Sequence, residues 1–437
     1  MIKIIRSSKI ILYDKIKKEV KILRAIILSA TTGGGHMRAA NAIKNYIIDN
    51  ELNSVVEILD TLEYINPILN KTITEGYTYL ATRTPIVYKA VYNTANNKIV
   101  TQLISNINSL ISKKLLPLLD FFKPDILITT HPFSTEMASR LKSSGRIKMP
   151  ILCVMTDYAP HRTWINDNID GYIVSNDGMI NSMKDMGVDE KIIYPYGIPI
   201  EDTFYTKRDK NIILKEMGLN PNLPTILIMA GSFGVDNILK IYKDILLLDI
   251  NFQIIIITGK NQGLYDVLES FIYGEGIDKI SEFLMRHKYI RKLKLFNYAN
   301  SNYWKKKRKF KKSSKIGKKK ETRIIYFTNE VDKYMQVADL IITKPGGLTV
   351  TEALASNLPM AIFDAIPGQE EENADFLVNN NMAVKIDEAN GGVGIIKELL
   401  QNREELDSMR ESCKTFSKTD SLEKILELIK KKIIIGN

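Results

Sequence analysis

Apolar residues along this chain fall in short solid runs separated by stretches of helical spacing. The run Arg24-Ala-Ile-Ile-Leu-Ser-Ala30 reads as a buried strand, 37–50 as the helix after it and 54–59 as the next strand. Similar runs recur at 125–130, 151–156 and 171–175, again with helical stretches between them. Gly197-Ile198-Pro199-Ile200 reads as the exit from a first half, and the polar stretch 206–224, with Pro221 and Pro224, as a linker. The pattern then restarts, with strands expected at 225–230, 253–258, 323–327, 340–343 and 360–363. Strands alternating with helices predict an α/β protein in which parallel sheets are covered by helices. The restart predicts two doubly wound, Rossmann-like halves facing across a cleft.

The expected boundaries are an extension at 1–23, a first half at 24–205, the linker at 206–224, a second half at 225–420 and a C-terminal helix at 421–437. Residues 1–23 alternate apolar and basic positions, which fits an interfacial amphipathic segment or an extra element packed on the core. A tyrosine-rich region follows the second strand, with Tyr64, Tyr77, Tyr79, Tyr88 and Tyr92. The run 422–429 has helical spacing and is expected to pack back across the halves.

Composition adds exclusions. With 45% hydrophobic and 25% charged residues, the 437-residue chain has the balance of a soluble globular protein of two or three domains. No apolar run approaches the ~18 residues of a membrane-spanning helix, and no secretory leader is expected. Cys153 and Cys413 form neither a metal-ligand spacing nor a disulfide framework, which favours a reducing cytoplasm. Residues 304–323 carry twelve Lys/Arg against one Glu, a local excess equal to the net charge of +11 of the whole chain. Such a run repels itself and reads as an exposed loop, part of an insertion at about 286–323.

Candidate chemistry lies in loops that each follow a strand pattern and precede a helical one. The first is Gly33-Gly34-Gly35-His36; the second is Lys344-Pro345-Gly346-Gly347-Leu348-Thr349, followed by Glu352. Glycines let a backbone approach a ligand, and the free N–H groups and dipole of a following helix favour an anion such as a diphosphate. Each loop is equally compatible with a plain strand-to-helix turn. Thr349-x-x-Glu352 also matches a capping box, so Glu352 reads as a cap or as a carboxylate for ribose hydroxyls. Gln369, Glu370 and Asn373 beside Pro367-Gly368 suit sugar hydroxyls, or form a solvated acidic loop. A neutral His36 at a helix start can accept a proton, or serve as a polar cap. His131 follows a strand, as do Asp157, His161 and Trp164 within TDYAPHRTW. No Asp-x-Asp occurs, so a nucleotide diphosphate would be neutralised by helix ends and bases rather than by a metal.

Taken in order over 24–385, GGGH after a first strand, TDYAPHRTW, YGIPI, GSFG, TKPGGLTVTEAL and PGQEEENA resemble the GT28-type diacylglycerol glycosyltransferases. These are the plant monogalactosyldiacylglycerol synthases and, more closely, the bacterial processive diacylglycerol glucosyltransferases. The resemblance implies a GT-B fold, a UDP-sugar donor in the second half, a diacylglycerol acceptor in the first, and inversion without metal or other cofactor. By position it implies that His36 is a base or a donor-phosphate ligand. Gly35, Gly231, Ser232, Gly234, Lys344 and Gly346 to Thr349 would line the donor diphosphate, Phe327 and Thr328 the uracil, and Glu352 the ribose. Gln369, Glu370 and Asn373 would face the donor sugar. His131, Asp157, His161 and Trp164 are candidates on the acceptor side.

The expectation is a peripheral enzyme on the cytoplasmic face of the membrane, bound to anionic lipids, that moves glucose from UDP-glucose to diacylglycerol, in one or more rounds. Galactose from UDP-galactose is the nearest alternative, then the peptidoglycan lipid-intermediate N-acetylglucosaminyltransferase. A UDP-sugar epimerase and a nucleic-acid-binding protein are the rivals of other classes; the basic run lacks a recognition fold, so no nucleic-acid partner is expected.

Overall fold

The computed structural model describes residues 22–31, 34–65, 111–229, 235–273, 320–387 and 391–436. The extension at 1–21, the tyrosine-rich residues 66–110, the loop with Gly231, Ser232 and Gly234, and the basic run up to 319 lie outside the described residues.

The first half runs β1 (Leu23–Ser29), α1 (Gly35–Asn50), β2 (Ser54–Asp60), α2 (Thr61–Ile65), α3 (Leu116–Phe122), β3 (Ile126–Thr129), α4 (Pro132–Ser143), β4 (Ile151–Val154), β5 (Gly171–Ile173), α5 (Gly178–Asp185) and β6 (Ile193–Tyr194). After α6 (Lys210–Glu216), the second half runs β7 (Thr225–Met229), α7 (Val235–Leu246), β8 (Gln253–Ile257), α8 (Gln262–Tyr273), β9 (Thr322–Ile325), α9 (Val331–Val337), β10 (Leu340–Thr343), α10 (Gly347–Ala355), β11 (Met360–Ile362), α11 (Gln369–Asn379), β12 (Ala383–Lys385), α12 (Gly394–Gln401) and α13 (Arg403–Phe416). The chain closes with α14 (Ser421–Gly436).

Each half is built on a six-stranded sheet, ordered β2-β1-β3-β4-β5-β6 and β12-β11-β10-β7-β8-β9, with parallel pairing throughout. The central strands are apolar on both faces because helices cover both: Ala25, Ile26, Ile27 and Leu28 are buried in succession, as are Leu340, Ile341 and Ile342. Burying each of these isoleucine and leucine side chains contributes about 1.5–3 kcal/mol. In the first sheet the strand order reverses between β1 and β3, and in the second between β7 and β10. Crevices at these switch points, outside the carboxyl ends of the strands, are where doubly wound sheets bind ligands.

Two boundaries differ from expectation. The segment 206–224 is not a loose linker: α6 packs on the second half, burying Ile213 and Leu214, while Lys210 pairs with Asp339 at 2.8 Å. The three apolar residues of α6, Ile212, Ile213 and Leu214, are too few to outweigh the polar ones around them. The basic stretch also ends earlier than 323, because Thr322 and Arg323 already belong to β9, where Arg323 Nε donates to Met217 O at 2.8 Å. As expected, the C-terminal run crosses back. Leu422, Ile425, Leu426 and Ile429 of α14 bury against β1, β3 and β4 of the first half. Ser421 Oγ anchors the crossing by donating to Gly197 O at 3.0 Å.

Candidate active site between the two halves

The turn after β1 is made possible by Gly34, whose φ of 76° lies in the left-handed region that disfavours side chains. It delivers His36 into the first turn of α1. The imidazole Nδ1 lies 2.8 Å from Thr130 O, at the end of β3, and 2.8 Å from Thr156 Oγ1, just past β4. A carbonyl only accepts, so Nδ1 carries the proton and Nε2 keeps its lone pair. Burial holds the ring pKa down to about 4, partly countered by the bond to Thr130 O, so His36 is neutral at pH 7. Thr130 is fixed in turn by its hydroxyl, which donates to Ser29 Oγ at 2.8 Å.

Around His36 stand three of the acceptor-side candidates. The His131 ring meets it edge-on, with centroids 4.7 Å apart. His131 Nδ1 accepts from Phe133 N at 3.1 Å, capping α4, and its pKa is pushed down by burial and then by the neighbouring His36. The buried Trp164 ring lies 6.1 Å from His36 and donates through Nε1 to Asp157 Oδ2 at 2.9 Å. Burial pushes the Asp157 carboxyl up to about 6, against hydrogen bonds from Trp164 and from Gln369 of the other half. His161 has a local role: its Nδ1 accepts from Thr163 N at 3.3 Å and caps the single turn Arg162–Trp164.

The second half meets this cluster directly. α10 starts at Gly347, and a Cβ there would stand 1.9 Å from Thr156 O, so only glycine permits this approach of backbone to backbone. Leu348 packs beside Gly35, whose Cβ position is 3.5 Å from Leu348 Cβ. Thr349 is partly exposed on the first turn of α10. The capping box expected there does not form, because the helix begins two residues before Thr349 and Gly346 is its cap residue. Glu352 is 1% exposed and pairs with Arg38 of α1, while its Oε2 has no hydrogen-bond partner among the described residues. Lys344 pairs with Asp364 at 2.9 Å.

Gln369 and Glu370 open α11 in the same cleft. Glu370 Oε2 accepts from Ile366 N at 2.9 Å, and burial raises its pKa despite that bond and the nearby Lys344. Asn373 departs from the expected sugar contact. It is buried, with Oδ1 accepting from Tyr158 N at 2.8 Å and Nδ2 donating to Pro345 O at 3.0 Å, so its amide ties the two halves together. Tyr158 adds a second tie, its hydroxyl 2.9 Å from Thr351 Oγ1. Phe327 and Thr328 stand beyond β9, at the edge of the second sheet. Phe327 is exposed with Lys260 Nζ 5.2 Å from its ring centroid, and Thr328 Oγ1 accepts from Glu330 N at 2.9 Å. Among the described residues no group of His, Cys, Asp or Glu could hold a metal ion.

The likeness to known proteins covers both halves. The profile of monogalactosyldiacylglycerol (MGDG) synthase matches residues 36–200, and that of the glycosyltransferase family 28 C-terminal domain matches 277–431. A processive diacylglycerol beta-glucosyltransferase of Bacillus pumilus (strain SAFR-032) is 29% identical over 408 residues, 92% of this chain and 94% of that protein. Its namesake from Staphylococcus carnosus (strain TM300) is 29% identical over 393 residues, 89% of this chain and 87% of that protein. The chain belongs to the monogalactosyldiacylglycerol synthase and processive diacylglycerol glucosyltransferase family. Solved structures bear out the fold. Acinetobacter baumannii MurG superposes with a TM-score of 0.55 at 14% identity, covering 94% of this chain and 99% of that one. The S. aureus MnaA–UDP co-structure gives 0.56 at 14%, covering 94% and 96%. This diacylglycerol glycosyltransferase relative therefore has the GT-B architecture.

Sequence reasoning did not single out Thr130, Thr156 or Arg38. The two threonines stand where buried strands end, with no pattern to mark the carbonyl and the hydroxyl that hold His36. Arg38 did carry a signal: a cation in the first turn of a helix opposes the helix dipole and calls for an anionic partner.

Proposed function

We propose that this protein is an inverting hexosyltransferase that moves glucose from UDP-glucose to the free hydroxyl of 1,2-diacylglycerol, and then onto the first sugar. The observation that carries the reading is that the family likeness runs through both halves and that GGGH, TDYAPHRTW, TKPGG and PGQEEENA meet in one cleft around His36. The acceptor hydroxyl is placed at His36 Nε2. Its oxygen bonds to the anomeric carbon from the face opposite UDP, its proton passes to Nε2, and the bond from the anomeric carbon to the diphosphate breaks. The charge of the diphosphate raises the basicity of His36 from its low value as the donor binds. The helix end at Gly347 favours the departing UDP. Glu352 holds the ribose, and Gln369 and Glu370 the hexose. The enzyme works at the cytoplasmic face of a membrane, drawn to anionic lipids by its basic run; among the described residues no helix is long and apolar enough to cross one.

Incubation with diacylglycerol vesicles and a panel of UDP-sugars, with lipid products identified by mass, tests this. Mono- and dihexosyl diacylglycerol from UDP-glucose is the expected result. Absence of any glycolipid, or turnover of a UDP-sugar without lipid, would overturn it.

A further inference from the structure

Arg38 is the residue of this cleft that neither the motifs nor the proposed chemistry uses. It stands in the first turn of α1, where no acidic residue offsets it. A cation there works against the helix dipole. Across the cleft, α10 also points its N-terminus at this place, with Leu348 against Gly35. Two helix ends that attract anions thus converge around a guanidinium. The side chain is 47% exposed, whereas its partner Glu352 is 1% exposed. Glu352 spends one oxygen on Arg38 and leaves Oε2, buried in the same cleft, unpartnered. A buried carboxylate oxygen without a donor is costly, and a ribose hydroxyl would supply one. Lys344, the cation of the glycine loop, is already engaged by Asp364. Exposed Glu201 also acts on Arg38, but only through space.

Resting on the donor reading above, we propose that Arg38 is a ligand of the donor diphosphate that exchanges partners during binding. Ribose hydroxyls take over Glu352, and the released guanidinium turns to the phosphates. The planar fork of arginine suits phosphate oxygens. Arg38 then remains on UDP as it departs.

The test separates nucleoside from phosphate. Binding of uridine, UMP and UDP is measured by calorimetry for the wild type, Arg38→Gln, Arg38→Lys and the paired variant Arg38→Gln with Glu352→Gln. Arg38→Gln should weaken UDP about tenfold or more. Uridine should bind as before or tighter, since a competitor for Glu352 is gone. Arg38→Lys should recover part of the UDP affinity, as a point charge without the fork. The paired variant leaves no buried charge alone, and a thermal melt checks its fold. It should still lose more affinity for UDP than for uridine. Equal changes for uridine and UDP, or none, would overturn the assignment of Arg38 while leaving the donor reading intact. A wild type that binds neither uridine nor UDP would remove both.

Discussion

The two sides of the cleft are built from similar sheets but hold opposite chemistry. On the first half, His36 is neutral, its Nδ1 is committed to Thr130 O and Thr156 Oγ1, and its neighbours are rings and hydroxyls. On the second half, the groups facing the cleft are ionic: Lys344 with Asp364, Glu370, and Glu352 with an oxygen to spare. The first arrangement suits removal of a proton from an uncharged alcohol, where a fixed tautomer matters more than charge. The second suits a charged nucleotide, for which helix ends and exchangeable ion pairs supply counter-charge. One fold has been specialised twice, through the loops at its switch points.

The sharpest way to break this contrast is His36→Ala. Transfer should fall by ~10²–10⁴-fold with the fold intact, read as glycolipid formed per unit time beside a thermal melt. Near-normal turnover would show that the neutral side is not where the proton is removed.

Arg38 and Asp157 are the exceptions on that side, Arg38 paired across the cleft with Glu352 and Asp157 a buried carboxyl raised to about 6. The folded pKa of Asp157 lies above that of an unfolded aspartate, so the folded protein binds the extra proton between the two values. The associated stability is present below about pH 4 and is lost as pH rises through about 6. Asp157→Asn does not titrate. Its stability relative to wild type should therefore rise by about 2–3 kcal/mol between pH 4 and pH 7. Thermal melts across that range check it; a constant difference would mean that Asp157 has an ordinary pKa.

Asn373 joins the two regions. Asn373→Ala removes two buried hydrogen bonds, one to Tyr158 across the halves and one to Pro345 within the second, and should cost about 1–3 kcal/mol in a chemical denaturation curve. Unchanged stability would show that the halves are held by other contacts.

The basic run belongs to neither side. Replacing 304–320 with a neutral linker should weaken sedimentation with anionic vesicles at low salt and make little difference at high salt, where its charges are screened. UDP binding should survive. If the variant sediments as fully as the parent, docking comes from elsewhere.

Most of the fold could be read in advance because buried parallel strands are solid apolar runs. β1, β8 and β10 all fell within a residue or so of their expected places. β6 and β12 are two and three residues long and leave no comparable signal. The site was read only in part. GGGH and TKPGG announced themselves because glycine before a helix is a backbone requirement, and the structure gives two physical reasons: the left-handed Gly34 and the contact of Gly347 with Thr156 O. What the amides and carboxylates do was open, since either role has the same composition. Asn373 became a tie between halves, and Glu352 the partner of Arg38 rather than a helix cap. These outcomes depend on which residues face each other across the cleft, at separations of 215 residues for Asn373 and Tyr158, beyond any local pattern.

The division of labour is tested most directly by measuring two parameters, UDP affinity and turnover at saturating donor, in His36→Ala and Glu352→Gln side by side. His36→Ala should lose turnover and keep UDP affinity, whereas Glu352→Gln should lose affinity and keep most of its turnover once the donor is saturating. Both variants altering the same parameter would contradict it.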